Sequence, residues 1–304
     1  VQTKSGYHHF VQQIGNRKKL KNNKMGKNLS IATISLLLVL ASTKAQQALT
    51  KAWKASCVVA GSKVVISAGV YKLGLVTLLG PCKGAIEFNL QGTLQAPLDV
   101  ASLNGKDGWV VFERIDGLTV SGGGNIRFNY VTNSKVQDIT SKDSKFFHIN
   151  LLECKKLQFQ HVTISAPTDS ANTDGIHIGR SSQITITNAN IGTGDDCISV
   201  GDGAQDITVN QVTCGPGHGI SIGSLGRYQN EEPVSRIRVT SATLSNTDNG
   251  VRIKTWPAST SGVAFDIHFE DVVMNNVANP SPSKVKISNV SFKKIRGTSS
   301  TKEV

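Results

Sequence analysis

The 304-residue sequence predicts an all-β protein, a solenoid of the parallel β-helix type with a short capping helix before its first coil. Three features support this prediction. A repeat of 22 residues runs through the middle of the chain, short segments rich in Val, Ile and Thr alternate with turns rich in Gly and Asn, and almost no segment has the hydrophobic period of an α-helix. Such a repeat is typical of a solenoid whose coils stack on one another.

Two segments at the start of the chain are predicted to precede the folded domain. Residues 1–24 form a basic leader without an apolar face, although RKKLKNNK also allows a nuclear-localisation signal. Residues 25–45 have a Lys-bearing start, an apolar run and small residues at the end, as a secretory signal peptide does. The apolar run is shorter than the about 20 residues that span a membrane. We therefore expect a secreted protein without a membrane segment, with residues 46–304 as a single domain.

The first element of this domain is the capping helix. The segment TKAQQALTKAW is amphipathic and ends near Trp53. The open end of a β-helix is an apolar edge with unpaired backbone groups, so a helix at this position is expected to cover it.

The strands follow from the repeat. Three segments spaced 22 residues apart, NTDGIHIG, GDDCISVG and GHGISIG, place isoleucines and glycines in columns: Ile176, Ile198, Ile220, Gly179, Gly201 and Gly223. The next step, from Gly223 to Lys254, is 31 residues because the polar loop LGRYQNEEP is inserted. The segments QITITN, DITVN and RIRVT form a second set of strands.

Strand alternation decides which side chains face outward. Residues one repeat apart stack at about 4.8 Å in neighbouring coils. If the isoleucines face the core, then His177, Ser199, Ser221 and Arg252 face solvent in one column. The glycine column beside them leaves an open strip, and Lys254 lies at its end.

The same stacking brings acidic residues together where these strands begin. Asp174, Asp196 and His218 share one column, and Asp195 precedes Asp196. A turn alone would explain Asp and Gly here, but stacked carboxylates repel, and Asn or Ser would serve a turn equally well. With the two cations of VRIKTW at one end, the cluster predicts an acid, a base and a binding site for a negatively charged substrate.

The overall charge agrees with such a substrate. The formal net charge is +12, but residues 46–304 hold 25 Lys and Arg against 21 Asp and Glu, which is +4. Nucleic acid is a poorer partner because the cations are dispersed and no set of aromatic residues accompanies them. The GDD pair could also bind Ca²⁺ through oxygen ligands. Since the neighbouring cations and His218 would already balance the negative charge of the substrate, we expect neither a metal nor a cofactor.

The motifs NTD, GDD, GHG and RIK, in this order and at these spacings, resemble those of the polygalacturonases, glycoside hydrolases of family 28. The longer strings NTDGIHIG, GTGDDCIS, CGPGHGISIGSLG and VRIKTW are most similar to plant exopolygalacturonases. The resemblance covers the chain from about Ala48 to its end. It implies a right-handed, pectin-lyase-like β-helix.

The resemblance also implies the catalytic roles. Asp195 would be the general acid, Asp174 and Asp196 would hold and activate the attacking water, and His218 would support the protonated acid. Crowding by two carboxylates is expected to raise the pKa of Asp195. Carboxylates stacked at about 4.8 Å are closer than the roughly 6.5 to 9.5 Å of inverting enzymes, but side-chain torsions can separate them, and inversion without a metal is what the resemblance implies.

The implied substrate is homogalacturonan, whose α-1,4 bonds would be cleaved by a secreted, exo-acting monomer in the cell wall. The residues implied to bind it are Arg252 and Lys254 for the sugar carboxylate, with Asn172, His177 and Gly219 beside them in the groove.

Five cysteines in a secreted chain predict two disulfides and one free thiol. Cys197 and Cys214 flank one coil and are expected to pair, and Cys57 with Cys82 is the second expected pair. Cys154 would then lie in the core.

The sequence also departs from the family pattern. A Trp-bearing stretch is missing after Gly124, another piece is missing near NNVANPSPSKVKIS, and the coils expected after Val304 are absent. A truncated, inactive relative that binds pectin is therefore the alternative to an active hydrolase. A solenoid tolerates the loss of whole coils, because each repeat contacts only its neighbours.

Overall fold

The computed structural model describes residues 33–36, 42–97, 108–257, 259, 261–278 and 286–300. These residues form a right-handed parallel β-helix with one helix, α1, at Ser42–Cys57. The strands in chain order are β1 (Thr33–Leu36), β2 (Ser62–Ile66), β3 (Val70–Lys72), β4 (Val76–Leu79), β5 (Ile86–Leu90), β6 (Thr93–Gln95), β7 (Val110–Glu113), β8 (Leu118–Gly123), β9 (Ile126–Asn129), β10 (Thr132–Lys142), β11 (Ile149–Leu152), β12 (Lys155–Ser165), β13 (Ile176–Gly179), β14 (Ser182–Gly192), β15 (Ile198–Val200), β16 (Gln205–Cys214), β17 (Ile220–Leu225), β18 (Val234–Ser245), β19 (Val251–Thr255), β20 (Val263–Val277) and β21 (Lys286–Ser299).

The strands lie in three sheets in which all described pairs are parallel. The largest sheet has eleven strands in the order β1-β2-β5-β8-β10-β12-β14-β16-β18-β20-β21. The second has eight strands in the order β19-β17-β15-β13-β11-β9-β7-β4, and β3 pairs with β6 in a small third sheet. Within the described ranges, eight coils each contribute one strand to each large sheet, whereas β1, β20 and β21 add strands to the first sheet alone. The core lies between the sheets.

The predicted repeat corresponds to one coil, and the predicted isoleucine column is confirmed. Ile176 pairs with Ile198, which pairs with Ile220, and all three are fully buried. The longer step across the inserted loop is also in register, because Ser221 pairs with Arg252. Sequence columns are therefore spatial columns in the second sheet.

The long strands of the first sheet bend in the middle, where pairing passes over one residue that has a positive φ. These residues, one in each coil, are Asp138, His161, Asn188, Gln211, Ser241, Asp271 and Lys294. The bend lets a single strand bound two sides of the coil.

The predicted capping helix is confirmed, and it begins at Ser42, before the expected position. Its buried face consists of Ala45, Leu49, Ala52, Trp53, Ser56 and Cys57. The indole Nε1 of Trp53 donates to the carbonyl oxygen of Leu79 at 3.0 Å, and its ring lies 5.6 Å from that of Phe112. The aromatic contact continues inward through Phe128 to Phe159, with centroid separations of 5.6 and 6.1 Å.

Part of the predicted signal peptide lies within the described residues. Residues 33–36 form β1, which pairs with β2, and Ala45 is fully buried in the first turns of α1. Cleavage after Ala45 would therefore remove the start of the capping helix. The basic leader and the rest of the signal peptide lie outside the described residues, and cleavage stays a prediction.

One coil is shorter than its neighbours just after Gly124, where the sequence leads us to expect a missing stretch. Strand β8 ends at Gly123, and only Gly124 and Asn125 connect it to β9, whereas β10 and β12 each have eleven residues and are followed by a loop. A pocket of about 970 Å³ opens beside this short coil, and it is lined in part by Trp109, Phe146 and Phe147.

Candidate active site

The second sheet presents a polar column on its outer face. The register pairs His177 of β13 with Ser199 of β15, then with Ser221 of β17 and Arg252 of β19. Strand alternation predicts this stacking, and the predicted site residues lie around it, but the expected exposure to solvent is wrong for Ser199 and Ser221, which are buried. Strand β19 is the last described strand of this sheet, so Arg252 and Lys254 are at its edge.

Asp195 and His218 form a hydrogen-bonded pair beside the polar column. The outer face around this column, where the sequence predicts substrate binding, is called the groove below. Nδ1 of His218 lies 3.0 Å from Oδ1 of Asp195, and both side chains are partly exposed. The backbone N–H of Asp196 donates to the same Oδ1 at 2.8 Å, and that of Asn172 donates to Oδ2 at 3.3 Å. Asn172 therefore contacts Asp195 through its backbone.

Asp196 is fully buried beneath the groove and is held by two cations. Its Oδ2 accepts a hydrogen bond from Nζ of Lys254 at 2.6 Å, and its Oδ1 accepts one from Nη2 of Arg252 at 3.0 Å. Ser221 donates to Oδ1 at 2.7 Å, and Nε of Arg252 donates to the Ser221 hydroxyl at 2.8 Å. A buried carboxylate needs such partners to remain charged.

Asp174 is also buried, one coil earlier. The hydroxyl of Ser199 donates to its Oδ2 at 2.6 Å and lies 2.8 Å from Nδ1 of His177. Because Ser199 has one proton and gives it to the carboxylate, Nδ1 of His177 is the donor in the second contact. The ring of Phe147 stacks on that of His177 at 4.7 Å.

The burial of Asp174 and Asp196 corrects the expectation that these carboxylates project from an exposed sheet. They lie at the starts of the short strands, and their side chains form hydrogen bonds with polar residues of later coils. Asp174 accepts from Ser199, and Asp196 accepts from Ser221, Arg252 and Lys254. Ser199 and Ser221 are themselves buried, so the partly exposed Arg252 and Lys254 cover Asp196 on the outer side.

The pKa shifts also differ from the expectation that crowding raises the pKa of Asp195. Burial acts to raise it, but the hydrogen bonds from His218 and from the backbone of Asp196 outweigh burial and hold the pKa of Asp195 below its usual value. The group that like charges and burial affect most is Asp174. Burial raises its pKa to about 7, against the hydrogen bond from Ser199, and the charges of Asp195 and Asp196 act in the same direction as burial.

The two histidines shift in opposite directions. The hydrogen bond to Asp195 raises the pKa of His218, and the charge of Asp248 contributes; Oδ2 of Asp248 lies 3.3 Å from its Nε2. Burial lowers the pKa of His177 to about 4. At neutral pH, His177 is therefore a neutral group in the wall of the groove.

One cluster offers ligand atoms for a cation. Single atoms of Asp195, Asp196 and His218 lie within 4.8 Å of one another. However, both oxygens of Asp196 already accept hydrogen bonds from Lys254 and Arg252, whose charges oppose a further cation. The donor set fits a metal ion poorly, and the absence of a metal from the reaction stays a prediction.

The disulfides match the expected pairs and support the site. Cys197, directly after the two carboxylates, is bonded to Cys214. Cys57 at the end of α1 is bonded to Cys82. Cys154 is a buried free thiol.

Among the predicted groove residues, Gly219 has a backbone role. Its φ is +90°, and a Cβ atom there would lie 2.2 Å from the carbonyl oxygen of Asn249. The next coil thus leaves no room for a side chain at Gly219. Asp248 and Phe147 contact His218 and His177 but were not predicted, because both lie in segments outside the repeated motifs.

Comparisons with known proteins all indicate the same family of glycosyl hydrolases. Residues 57–127 and 124–304 match the sequence profile of the glycosyl hydrolases family 28. The exopolygalacturonase of Platanus acerifolia is 49% identical over 300 residues, covering 84% of this chain and 79% of the relative. The polygalacturonase of Gossypium barbadense is 47% identical over 295 residues, covering 83% and 72%.

A solved structure has the same fold. The endo-xylogalacturonan hydrolase from Aspergillus tubingensis superposes with a TM-score of 0.78 at 22% identity, covering 90% of this chain and 86% of the other. Among the described residues, α1 is too short and too polar to span a bilayer.

Proposed function

The chain belongs to family 28 of the glycosyl hydrolases, and on this premise we propose that it hydrolyses the α-1,4-galacturonosidic bonds of polygalacturonate, the de-esterified galacturonan of pectin. The observation that carries the proposal is the arrangement around Asp196. Two cations reach this carboxylate from the rim of the groove, and the Asp195–His218 pair lies beside it. A groove with an acid, a base and cations suits a polyanionic sugar chain.

In the proposed mechanism, Asp195 and His218 act as one proton-holding unit. In the free protein the proton resides on His218, since the pKa of Asp195 is lowered and that of His218 is raised. When a sugar ring covers the pair and excludes water, the charge-separated form loses solvation, and transfer of the proton to Asp195 becomes favourable. Asp195 then donates that proton to the glycosidic oxygen as the bond from this oxygen to the anomeric carbon breaks.

Water completes the reaction on the other side of the anomeric carbon. We assign its positioning to Asp174 and Asp196, and the water proton passes to Asp174, the carboxylate without a cationic hydrogen-bond partner. Oxygens of Asp195 and Asp196 lie within 4.8 Å, which is closer than the roughly 6.5 to 9.5 Å usual for inversion. We therefore assign the base of an inverting reaction to Asp174, and the anomer released first, observed by NMR, tests it.

Substrate binding is assigned to the rim of the groove. Arg252 and Lys254 are partly exposed, and each has donors beyond those used by Asp196. These donors would bind a galacturonate carboxylate, with the neutral His177 and the backbone of Asn172 beside it.

We also propose exo action by a secreted monomer in the cell wall. The Platanus relative, which is 49% identical to this chain, is an exopolygalacturonase. Product size over time distinguishes the modes, because an exo enzyme releases small products from the start. A truncated, inactive pectin-binding protein is less favoured, since all four motifs converge on one site.

The decisive experiment compares reducing-sugar release from polygalacturonate by the wild-type chain and by Asp195→Asn. Loss of a general acid is expected to lower kcat by about 10²- to 10⁴-fold. Asp202→Asn is the matched control, since Asp202 lies in the same coil but pairs with Arg180. Equal release by the wild type and Asp195→Asn would reject the proposed function.

A further inference from the structure

An aromatic cluster lies next to the cationic end of the groove, on the inserted loop and just beyond β19. The guanidinium of Arg227 lies 4.7 Å from the ring centre of Trp256 and 5.4 Å from that of Tyr228. Both aromatic residues are exposed to solvent, Trp256 by 41% and Tyr228 by 62% of its surface. No residue of this cluster has a role in the mechanism above.

We propose that Arg227, Tyr228 and Trp256 form an additional sugar-binding subsite, which holds the galacturonan unit next to the one bound by Lys254. We call these three residues the aromatic platform. The inference rests on the proposed function, because the platform would bind a further sugar unit of the same polysaccharide substrate.

The position of Trp256 supports the proposal. Arg252, Lys254 and Trp256 are spaced by two residues, so they lie on the same face of the strand and its extension. The backbone N–H of Trp256 donates to the carbonyl oxygen of Leu225 at 2.9 Å, which continues the pairing of β17 with β19. Trp256 is thus about 6.6 Å along the strand from Lys254.

The loop that carries the platform is held rigidly by hydrogen bonds. The carboxylate of Glu231 accepts the backbone N–H groups of Arg227 at 2.8 Å and Tyr228 at 3.0 Å, and that of Gly226 as well. The hydroxyl of Ser261 donates to the carbonyl oxygen of Tyr228 at 3.1 Å. A site that is ordered before binding loses little conformational entropy when the ligand arrives.

The chemistry of the platform suits an acidic sugar. The flat carbon-hydrogen face of a pyranose packs against aromatic rings, and a guanidinium binds a carboxylate through two parallel hydrogen bonds. In the described part of the chain, Arg227 forms cation–π contacts and no ion pair with an acidic side chain. Its charge is therefore available to the carboxylate of a sugar that lies over the rings.

The test is the dependence of KM on substrate length for unesterified oligogalacturonides, from the disaccharide upward. Trp256→Ala and Tyr228→Ala are each expected to raise KM for long oligomers about three- to tenfold with little change in kcat. For oligomers too short to reach the platform, KM should equal that of the wild type. Trp256→Phe, which keeps an aromatic face, should restore most of the affinity.

Tyr130→Ala is the matched control. Tyr130 is also 41% exposed and has an arginine, Arg114, 5.5 Å from its ring centre. It follows β9, five strands away from β19 in the same sheet. Its KM should equal the wild-type value at every length, and equal KM values for Trp256→Ala and Tyr130→Ala on long oligomers would overturn the inference.

A binding measurement separates this inference from the proposed function. Calorimetric titration of oligogalacturonides into Asp195→Asn, with and without Trp256→Ala, requires no turnover. A length-dependent loss of affinity on Trp256→Ala supports the platform even if the wild-type chain releases no reducing sugar, an outcome that would reject the proposed function alone. Unchanged affinity rejects the platform. Matching thermal midpoints confirm that the variants fold.

Discussion

Nδ1 of His218 lies 3.0 Å from Oδ1 of Asp195, while Nε2 of the same ring lies 3.3 Å from Oδ2 of Asp248. The imidazole thus bridges a partly buried carboxylate of the groove and one that is 76% exposed. Both negative charges favour the imidazolium, which raises the pKa of His218. The ring holds the proton that the general acid needs.

The pH dependence of kcat/KM is expected to reflect this proton. Since the folded pKa of His218 lies above 6.5, activity should fall as the pH rises through that raised pKa. His218→Gln should lower kcat by about 10²-fold and remove this alkaline limb. Asp248→Asn removes only one of the two charges, so the limb should remain and move to lower pH. An unchanged limb in His218→Gln would assign the titration to another group.

The cations that hold Asp196 are expected to contribute to stability. Lys254→Met leaves the fully buried carboxylate with Arg252 as its remaining cation, which should lower the free energy of unfolding by about 3 kcal/mol. Denaturant unfolding at pH 7 measures the change. Lys63→Met breaks a partly exposed pair with Glu87 at 2.6 Å and should have little effect, because surface ion pairs contribute little. Equal effects of the two variants would contradict the role assigned to Lys254.

Asp174 is expected to make the folded protein less stable as the pH rises. Its folded pKa of about 7 lies above the ordinary value of 3.8, so the folded state favours the protonated form. Stability is fully present below about pH 4 and is lost as the pH rises through 7. Asp174→Asn removes this loss and should stabilise the protein at pH 8 by an amount on the order of 4 kcal/mol.

Thermal unfolding of Asp174→Asn and wild type at pH 4 and pH 8 measures the difference, which should be large only at pH 8. Activity should fall at the same time, since Asn cannot accept the water proton. Asp202→Asn, a more exposed acid of the next coil, should leave the thermal midpoint nearly unchanged at both pH values. A midpoint for Asp174→Asn that is lower than wild type at pH 8 would contradict the prediction.

The two disulfides are expected to differ in their effect on activity. The bond between Cys197 and Cys214 joins residues 17 apart, and its removal by a double Ala substitution should cost about 3 kcal/mol of stability. Because Cys197 follows the two carboxylates directly, kcat/KM should also decrease, even when it is measured at temperatures at which the variant is still folded. Removing the bond between Cys57 and Cys82, which join residues 25 apart, should lower stability and leave activity intact. Equal loss of activity in both double variants would contradict this distinction.

Two structural features could not be predicted from the residue pattern. The long strands bend at residues as different as Asp138, His161 and Lys294, and most residue types disfavour a positive φ. The bend is set by the coil, whose turn must match those of its neighbours. The pKa of Asp195 was also predicted in the wrong direction. The prediction considered only the repulsion from the neighbouring carboxylates and omitted the hydrogen bond between Asp195 and His218, which lowers the pKa.

By itself, the sequence determined the fold class, the register of the coils and which of the predicted site residues stack in neighbouring coils. A repeat with alternating apolar residues has one way to bury them, and stacking then places Asp174, Asp196 and His218 at one end of adjacent strands. The tertiary structure decided how the charges are arranged. Whether a carboxylate is exposed, as Asp195 partly is, or buried beneath cations, as Asp196 is, depends on side-chain contacts between coils. Those contacts also set the pKa values, because solvation and hydrogen bonding exist only once the coils are packed.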